Sequence, residues 1–126
     1  MRGIGVDIVR KISYRAKGFK TNDFVYGCYV YWQGGEMGEH LIFDNSLSAF
    51  VEIYEETLGQ FTGLYDKNKV PIYEGDILKY NFDGKEKIDY IEYQENMFTY
   101  HNTIRWCLYE DEVIGNIYDN PDLLGE

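Results

Sequence analysis

The strongest constraint on this chain is the pair Asp83-Gly84, which separates two apolar runs at residues 77–82 and 88–93. Both turn residues tolerate positive φ, so the pair predicts a tight β-hairpin between two strands. Turn residues at 94–96 precede a further short run at residues 97–100. We therefore expect an antiparallel meander in this part of the chain.

The meander is predicted to continue towards the C-terminus. Residues 104–108 alternate in polarity, which predicts a half-buried strand with Trp106 on its core face. The acidic turn at 110–111 leads into a last strand at residues 113–118, where Gly115 permits a bend. Asn120-Pro121 then has the form of an N-cap and first residue of a single helical turn.

The sequence pattern also predicts β-structure in the first half of the chain. Residues 24–32 are apolar on both faces, which predicts a long strand covered on both sides. A turn at 33–36 precedes a short returning strand at 40–43, and for residues 46–56 we favour a strand over two helical turns. The 13 Tyr, 7 Phe and 2 Trp residues favour strands generally. The predicted fold class is all-β.

Charge is unevenly distributed in this chain of net charge −10. Residues 1–20 hold six basic side chains and one acidic one, whereas the remaining residues hold 6 basic and 21 acidic ones. A basic arm for nucleic acid is one interpretation. We favour the other, in which the basic segment lies against the acidic body of the same or a neighbouring molecule, because that body repels phosphate.

Four separated segments, at residues 59–64, 66–68, 72–77 and 113–124, together resemble the YopX family. That family consists of small proteins encoded by phages and prophages, mostly of Gram-positive bacteria. Residues 14–17 and 24–27 resemble the N-terminal signature of the family, so the likeness spans residues 12–124.

The resemblance implies a β-rich protein with an SH3-like barrel in its C-terminal half. We therefore predict an N-terminal β-rich portion, residues 1–56, packed on a barrel at residues 57–126. Two positions depart from the family pattern: Arg15-Ala16 replaces Arg-Gly, and Asn68-Lys69 replaces the usual Asn-Gly of a turn. We expect the second change to alter the turn, because lysine at positive φ is costly. The resemblance supplies no activity or catalytic residue.

The candidate chemical groups do not form a recognisable site. Acidic pairs are expected by chance in a chain with 22 acidic residues, and none has calcium-loop spacing. The serines lack a nucleophile elbow, and the histidines and cysteines are too few for a convincing transition-metal site. We predict no enzyme activity, no cofactor and no catalytic, cofactor-binding or metal residue. The groups considered are Glu74, Asp76, Glu110, Asp111, Glu112, His40, His101, Ser13, Ser46, Ser48, Cys28 and Cys107.

Within this set, the expected roles are structural. Asp76 is expected to accept a backbone N–H where a strand begins. Residues 110–112 are expected to form a solvated turn. Cys28 and Cys107 are both expected to be small buried hydrophobes.

The aromatic residues are better candidates for function than the carboxylates. An exposed tyrosine face would suit protein contact, or nucleic acid if a basic groove lay beside it. The basic residues near it are too few among the acids to make nucleic acid the favoured partner. The tyrosines are Tyr73, Tyr80, Tyr90, Tyr93, Tyr100 and Tyr109, and the basic residues are Lys79, Lys85, Lys87 and Arg105.

We predict a non-catalytic phage or prophage accessory protein that acts by protein–protein contact, as a homo-oligomer or with a host or phage protein. One alternative is a small-barrel nucleic-acid-binding protein, and another is an acidic DNA mimic that inhibits a host protein. No membrane association is expected, since the longest apolar run, residues 24–32, is too short to cross a bilayer. Met1-Arg2 precedes no apolar signal region, so the cytoplasm of the bacterial host is the expected location.

Overall fold

The computed structural model describes residues 12–34, 38–94, 96–102 and 110–125. Within them, ten strands form two antiparallel sheets, which confirms the all-β prediction. The strands are β1 Tyr14–Lys17, β2 Phe24–Trp32, β3 Glu39–Asp44, β4 Ala49–Glu52, β5 Gly59–Tyr65, β6 Pro71–Tyr73, β7 Asp76–Phe82, β8 Lys85–Gln94, β9 Met97–Tyr100 and β10 Glu112–Asn116. Two short 3₁₀ turns lie at Glu55–Thr57 and Pro121–Leu124.

The first sheet has the strand order β4-β3-β2-β1-β5-β6. Its longest strand, β2, pairs with β3 from Gly27 opposite Asp44 to Trp32 opposite Glu39. One face of this sheet carries a buried cluster of Ala16, Val25, Ile42 and Ile53. The strands predicted at 24–32, 40–43 and within 46–56 are confirmed.

The second sheet has the order β10-β7-β8-β9 and contains the predicted meander. Asp83 and Gly84 adopt φ of 57° and 78°, as the predicted hairpin requires. The buried cluster beside this sheet consists of Ile72, Leu78, Tyr80, Ile91 and Tyr100. Its member Ile72 comes from β6, so the first sheet contributes to this core.

The last strand bends where the sequence predicted. The register of β10 against β7 shifts between Val113 and Gly115. A Cβ atom added to Gly115 would lie 2.6 Å from Oδ1 of Asn120, so a larger residue at the bend would have to displace the Asn120 side chain. Asn120 precedes the predicted helical turn but does not cap it with its side chain. Its Oδ1 accepts the backbone N–H of Asn116 at 3.2 Å instead.

The small-barrel prediction is not confirmed. The described strands form two sheets and do not close into a barrel. The first sheet joins β1 to β5 and therefore contains strands from both sides of position 57. The division into residues 1–56 and 57–126 stays a prediction. The strand predicted at 104–108, with Trp106 and Cys107, lies outside the described residues.

Most side chains on one face of β2 are exposed, so the prediction that this strand is covered on both sides is wrong. Val25 is buried in the core, whereas Tyr26, Cys28 and Trp32 on the opposite face are exposed. Cys28 is consequently an exposed thiol and not the buried residue we expected. Apolar residues on both faces did not reveal this, because which face is covered depends on distant contacts, such as that of Phe24 with Tyr118 at the start of the strand.

Lys69 provides a first test of backbone strain. It adopts φ of 67° in the turn between β5 and β6, where a residue with a Cβ atom is disfavoured. We expect Lys69→Gly to raise the free energy of unfolding by about 0.5–1 kcal/mol. Urea denaturation checks this, with Lys69→Ala as the matched control, since it removes the charge but keeps the strain. An equal gain in both variants would contradict the strain argument.

Candidate functional site

The two sheets meet around a buried ion pair between Arg15 of β1 and Asp76 at the start of β7. Nη2 of Arg15 is 2.7 Å from Oδ1 of Asp76, and both side chains are buried. The guanidinium carbon lies 4.2 Å from the ring centre of Phe24 and 5.0 Å from that of Tyr73. The ion pair with Asp76 links strand β1 to the second sheet, while the two aromatic rings, from β2 and β6 of the first sheet, hold the guanidinium in place.

Asp76 also has the role predicted from the sequence. Its Oδ2 accepts the backbone N–H of Tyr73 at 2.8 Å, where the chain turns from β6 into β7. Burial raises the pKa of Asp76, and the adjacent Arg15 opposes that shift. Nε and Nη2 of Arg15 make no hydrogen bond of good geometry within the described residues, so the Nη2 contact is an ion pair by distance alone.

A second ion pair lies beside the first. Nζ of Lys17 is 2.7 Å from Oδ1 of Asp119 and 4.4 Å from the ring centre of Phe24. The hydrogen bond from Lys17, followed by one from the Asn116 amide, lowers the pKa of Asp119. Arg15 and Lys17 therefore lie against acids of the same chain, as our favoured interpretation of the basic segment requires. Residues 1–11 of that segment lie outside the described residues.

Next to the Arg15–Asp76 pair is an open cleft of about 740 Å³. Strands β1 and β2 and the turn after β3 form one side, and the edge strands β6 and β10 form the other. We call this space the cleft; the lining residues used below are Arg15, Phe24, Tyr26, Asp44, Tyr73 and Asp76.

Beyond the cleft, the side of strands β2–β4 that carries the exposed Tyr26, Trp32 and Phe50 is an apolar surface that we call the outer face. The register places Cys28 opposite Phe43 and Phe43 opposite Phe50, so these side chains share one side of the sheet. Trp32 and Phe50 are 55% and 58% exposed. The outer face consists of Tyr26, Cys28, Val30, Trp32, Leu41, Phe43 and Phe50.

The tyrosine face predicted in the second half of the chain is not formed as such. Tyr73, Tyr80 and Tyr100 are buried, and the rings of the last two stack 3.9 Å apart. Tyr93 is 54% exposed and Tyr90 is half-buried. Tyr109 lies outside the described residues. The alternation of polar and apolar residues could not show that Tyr80 and Tyr100 belong to the core of the second sheet.

The candidate carboxylates have separate structural contacts. Asp111 is buried and its Oδ2 accepts the Tyr100 hydroxyl hydrogen at 2.5 Å, so the prediction of a solvated turn at 110–112 is wrong for this residue. Glu74 accepts the backbone N–H of Gln60 at 3.3 Å. Oε1 of Glu112 is 3.5 Å from Nζ of Lys67, and Glu110 is exposed. No group of three His, Cys, Asp or Glu side chains suited to a metal occurs among the described residues.

The two histidines lie apart, His40 in β3 of the first sheet and His101 directly after β9 of the second. Nδ1 of His40 is 2.5 Å from the hydroxyl of Tyr29, and its Nε2 is 2.5 Å from Oε1 of Glu55. His101 stacks on the Tyr90 ring at 4.8 Å and contacts Glu92 through Nδ1 at 3.1 Å.

The candidate serines do not accompany either histidine. The hydroxyl of Ser13 lies 3.3 Å from that of Tyr73, and the hydroxyl of Ser46 donates to Asp44. Ser48 is exposed in a turn with φ of 52°. The described contacts thus give no serine a histidine as its base.

Among the described residues, the candidate lysines of the second sheet lie beside acidic residues and do not define a basic groove. Nζ of Lys79 is 3.8 Å from Oε2 of Glu86, and Lys85 and Lys87 are exposed along β8. Arg105 lies outside the described residues.

Sequence reasoning missed the role of Asp66. This side chain is 4% exposed and accepts three backbone N–H groups. Its Oδ1 binds Asn68 at 2.8 Å and Val70 at 2.9 Å, while its Oδ2 binds Val113 at 2.9 Å. It joins the β5–β6 turn to β10. The sequence shows an Asp-x-Asn turn motif at residues 66–68, but it does not show the contact of Asp66 with β10.

Comparisons with known proteins agree with this architecture. A family model described as "YopX protein" matches residues 13–125. The crystal structure of protein EF1440 from Enterococcus faecalis is similar, with a TM-score of 0.58 and 22% identity, covering 92% of this chain and 99% of that one. At this identity the likeness concerns the fold. A comparison with curated proteins found no match. Among the described residues, no helix has the length and apolarity needed to span a membrane.

Proposed function

This chain belongs to the YopX protein family, and we propose that it is a non-catalytic accessory protein of a phage or prophage that acts by protein–protein contact. The observation that carries the proposal is the outer face. Exposed apolar side chains that occur singly need no explanation, but a contiguous apolar patch on a folded protein marks an interaction surface.

The composition of the outer face fits this role. Its centre is apolar and aromatic, and aromatic residues are enriched in the buried centres of protein interfaces. Glu39 and Glu52, which the register places opposite Trp32 and Leu41, supply charge beside it. An apolar centre beside charged residues is the usual arrangement at protein interfaces.

We propose that the occupant of the outer face is a second copy of this chain. Two copies that each carry a net charge of −10 repel one another over most approaches. The apolar centre of the outer face allows close contact with the least repulsion, and apolar burial there offsets the remainder. The proposed setting is the cytoplasm of the bacterial host.

Sedimentation velocity over a concentration series tests this proposal. We expect the unaltered protein to associate reversibly and Trp32→Glu to remain monomeric at the same concentrations, because a buried charge opposes the contact. Tyr93→Glu is the matched control, since Tyr93 is 54% exposed in the other sheet, and we expect it to associate normally. A monomeric unaltered protein, or equal association of both variants, would count against a contact between copies through the outer face.

The two alternative functions, nucleic-acid binding and DNA mimicry, predict different binding partners for the purified protein. A nucleic-acid-binding protein would shift the mobility of oligonucleotides, with binding that weakens steeply as salt rises. A DNA mimic would instead bind a basic DNA-processing protein of the host in a salt-dependent way. The 22 acidic residues motivate the mimic but serve solubility equally well.

A further inference from the structure

The cleft lies at one end of the outer face, and Tyr26 belongs to both. Its volume of about 740 Å³ is sufficient for a side chain together with neighbouring backbone. Edge strands β6 and β10 border it, so a segment of another protein can approach without displacing an existing strand. The chemistry of its lining indicates what kind of segment that is.

The charge of the cleft is negative. Arg15 and Asp76 neutralise each other at its base, which leaves Asp44 as the uncompensated charge of the lining. Oδ1 of Asp44 accepts from the Ser46 hydroxyl at 2.6 Å and from the Ser46 backbone N–H at 2.9 Å. Its Oδ2 has no hydrogen-bond or ion-pair partner in the described part of the chain and is free to accept one.

Asp44 is held in its charged form. The hydrogen bond from the Ser46 side chain, with backbone N–H groups of Ser46 and Leu47, lowers the pKa of Asp44. The carboxylate is therefore ionised at neutral pH and its orientation is fixed by the turn.

Aromatic rings line the same cleft, and this protein already places cations on such rings. The guanidinium of Arg15 lies over Phe24 and Tyr73, and the ammonium of Lys17 lies over Phe24. Tyr26 is 46% exposed and its ring centre is 5.5 Å from that of Tyr73. A partly exposed tyrosine and a carboxylate that line one cleft are together suited to a cationic side chain.

We propose that the cleft binds an arginine or lysine side chain presented by an extended segment of a partner protein. Asp44 accepts the N–H of the cation through Oδ2, and Tyr26 contacts its apolar stem or charged head. This site goes beyond the proposed function, since it does not require that two copies associate.

NMR titration of the protein with short blocked peptides tests the proposal. The probes are acetyl-Gly-Gly-Xaa-Gly-Gly-amide with Xaa as arginine, lysine, norleucine or glutamate. We expect the two cationic peptides to bind about fivefold more tightly than the norleucine peptide, as one exposed cation–aromatic contact provides. High salt should reduce this advantage, and the glutamate peptide should not bind. Equal affinity for arginine and norleucine, or no binding of any peptide, would overturn the proposal.

Three variants locate the site. Asp44→Asn should keep the turn but abolish the preference for arginine over norleucine, and Tyr26→Leu should weaken binding of both cationic peptides. Asp83→Asn is the control: it removes an exposed acid from the hairpin turn of the other sheet and should leave the affinity for every peptide unchanged. Unchanged preference in Asp44→Asn would refute the assignment. If that variant does not fold, as judged by circular dichroism, the four peptides on the unaltered protein decide the question.

Repeating the titration in the Trp32→Glu background separates the two proposals. Peptide binding that persists in this variant would support the cleft independently of self-association. Loss of the arginine preference there would show that the cleft depends on association, which contradicts an independent site. Self-association with no peptide binding would leave the outer face supported and the cleft rejected.

Discussion

Replacing Arg15 by methionine should destabilise the protein by about 3–5 kcal/mol, the largest effect that we expect from any single substitution. The reason is that Asp76, which is 3% exposed, would keep its buried carboxylate without the adjacent cation. The same substitution removes the cation from Phe24 and Tyr73. Urea denaturation followed by circular dichroism measures the loss.

A double-variant cycle distinguishes a broken ion pair from lost packing. Asp76→Asn keeps an acceptor for the Tyr73 backbone N–H but removes the charge. We expect Arg15→Met combined with Asp76→Asn to be more stable than Arg15→Met alone, because no unpaired buried charge remains. If the double variant loses as much free energy of unfolding as the two single variants together, the ion pair does not stabilise the contact between the sheets.

The second large effect should come from Asp66→Ala, which we expect to lower the free energy of unfolding by about 2–4 kcal/mol. Three backbone N–H groups, those of Asn68, Val70 and Val113, would lose their acceptor together. A fully buried donor without a partner costs about 1–3 kcal/mol, and these three hydrogen bonds are only partly buried, so water replaces part of that loss. Thermal and urea unfolding check the result.

Asp66→Asn is the matched control for this prediction. The asparagine keeps one acceptor oxygen but lacks the charge and the second acceptor. Its free energy of unfolding should therefore fall less than that of Asp66→Ala. A change within about 0.5 kcal/mol for Asp66→Ala, typical of an exposed surface site, would contradict the role assigned to this side chain.

Local features of the sequence predicted local structure well. Asp83-Gly84 specifies its hairpin because the requirement for positive φ at both positions is met within the turn itself. Likewise, β2 has the predicted bounds because a long run of β-branched and aromatic residues favours a strand wherever it packs. The family resemblance is confirmed over nearly the whole chain.

Features that depend on distant parts of the chain were not predictable in this way. The pairing of Arg15 with Asp76, the burial of Asp111 against Tyr100 and the openness of one face of β2 all depend on which strands lie side by side. A single sequence gives the period of a strand but not its neighbours. For this reason the exposed aromatic residues were expected in the second sheet, whereas the outer face belongs to the first.

The central claim, that the outer face is covered when copies associate, is tested most directly by the reactivity of the Cys28 thiol. Cys28 lies in the outer face and is exposed. In a Cys107→Ser variant, labelling with a maleimide reports on this thiol alone. Our account predicts rapid labelling of dilute protein and slower labelling at concentrations where sedimentation shows association. Labelling at the same rate in monomer and oligomer would contradict it.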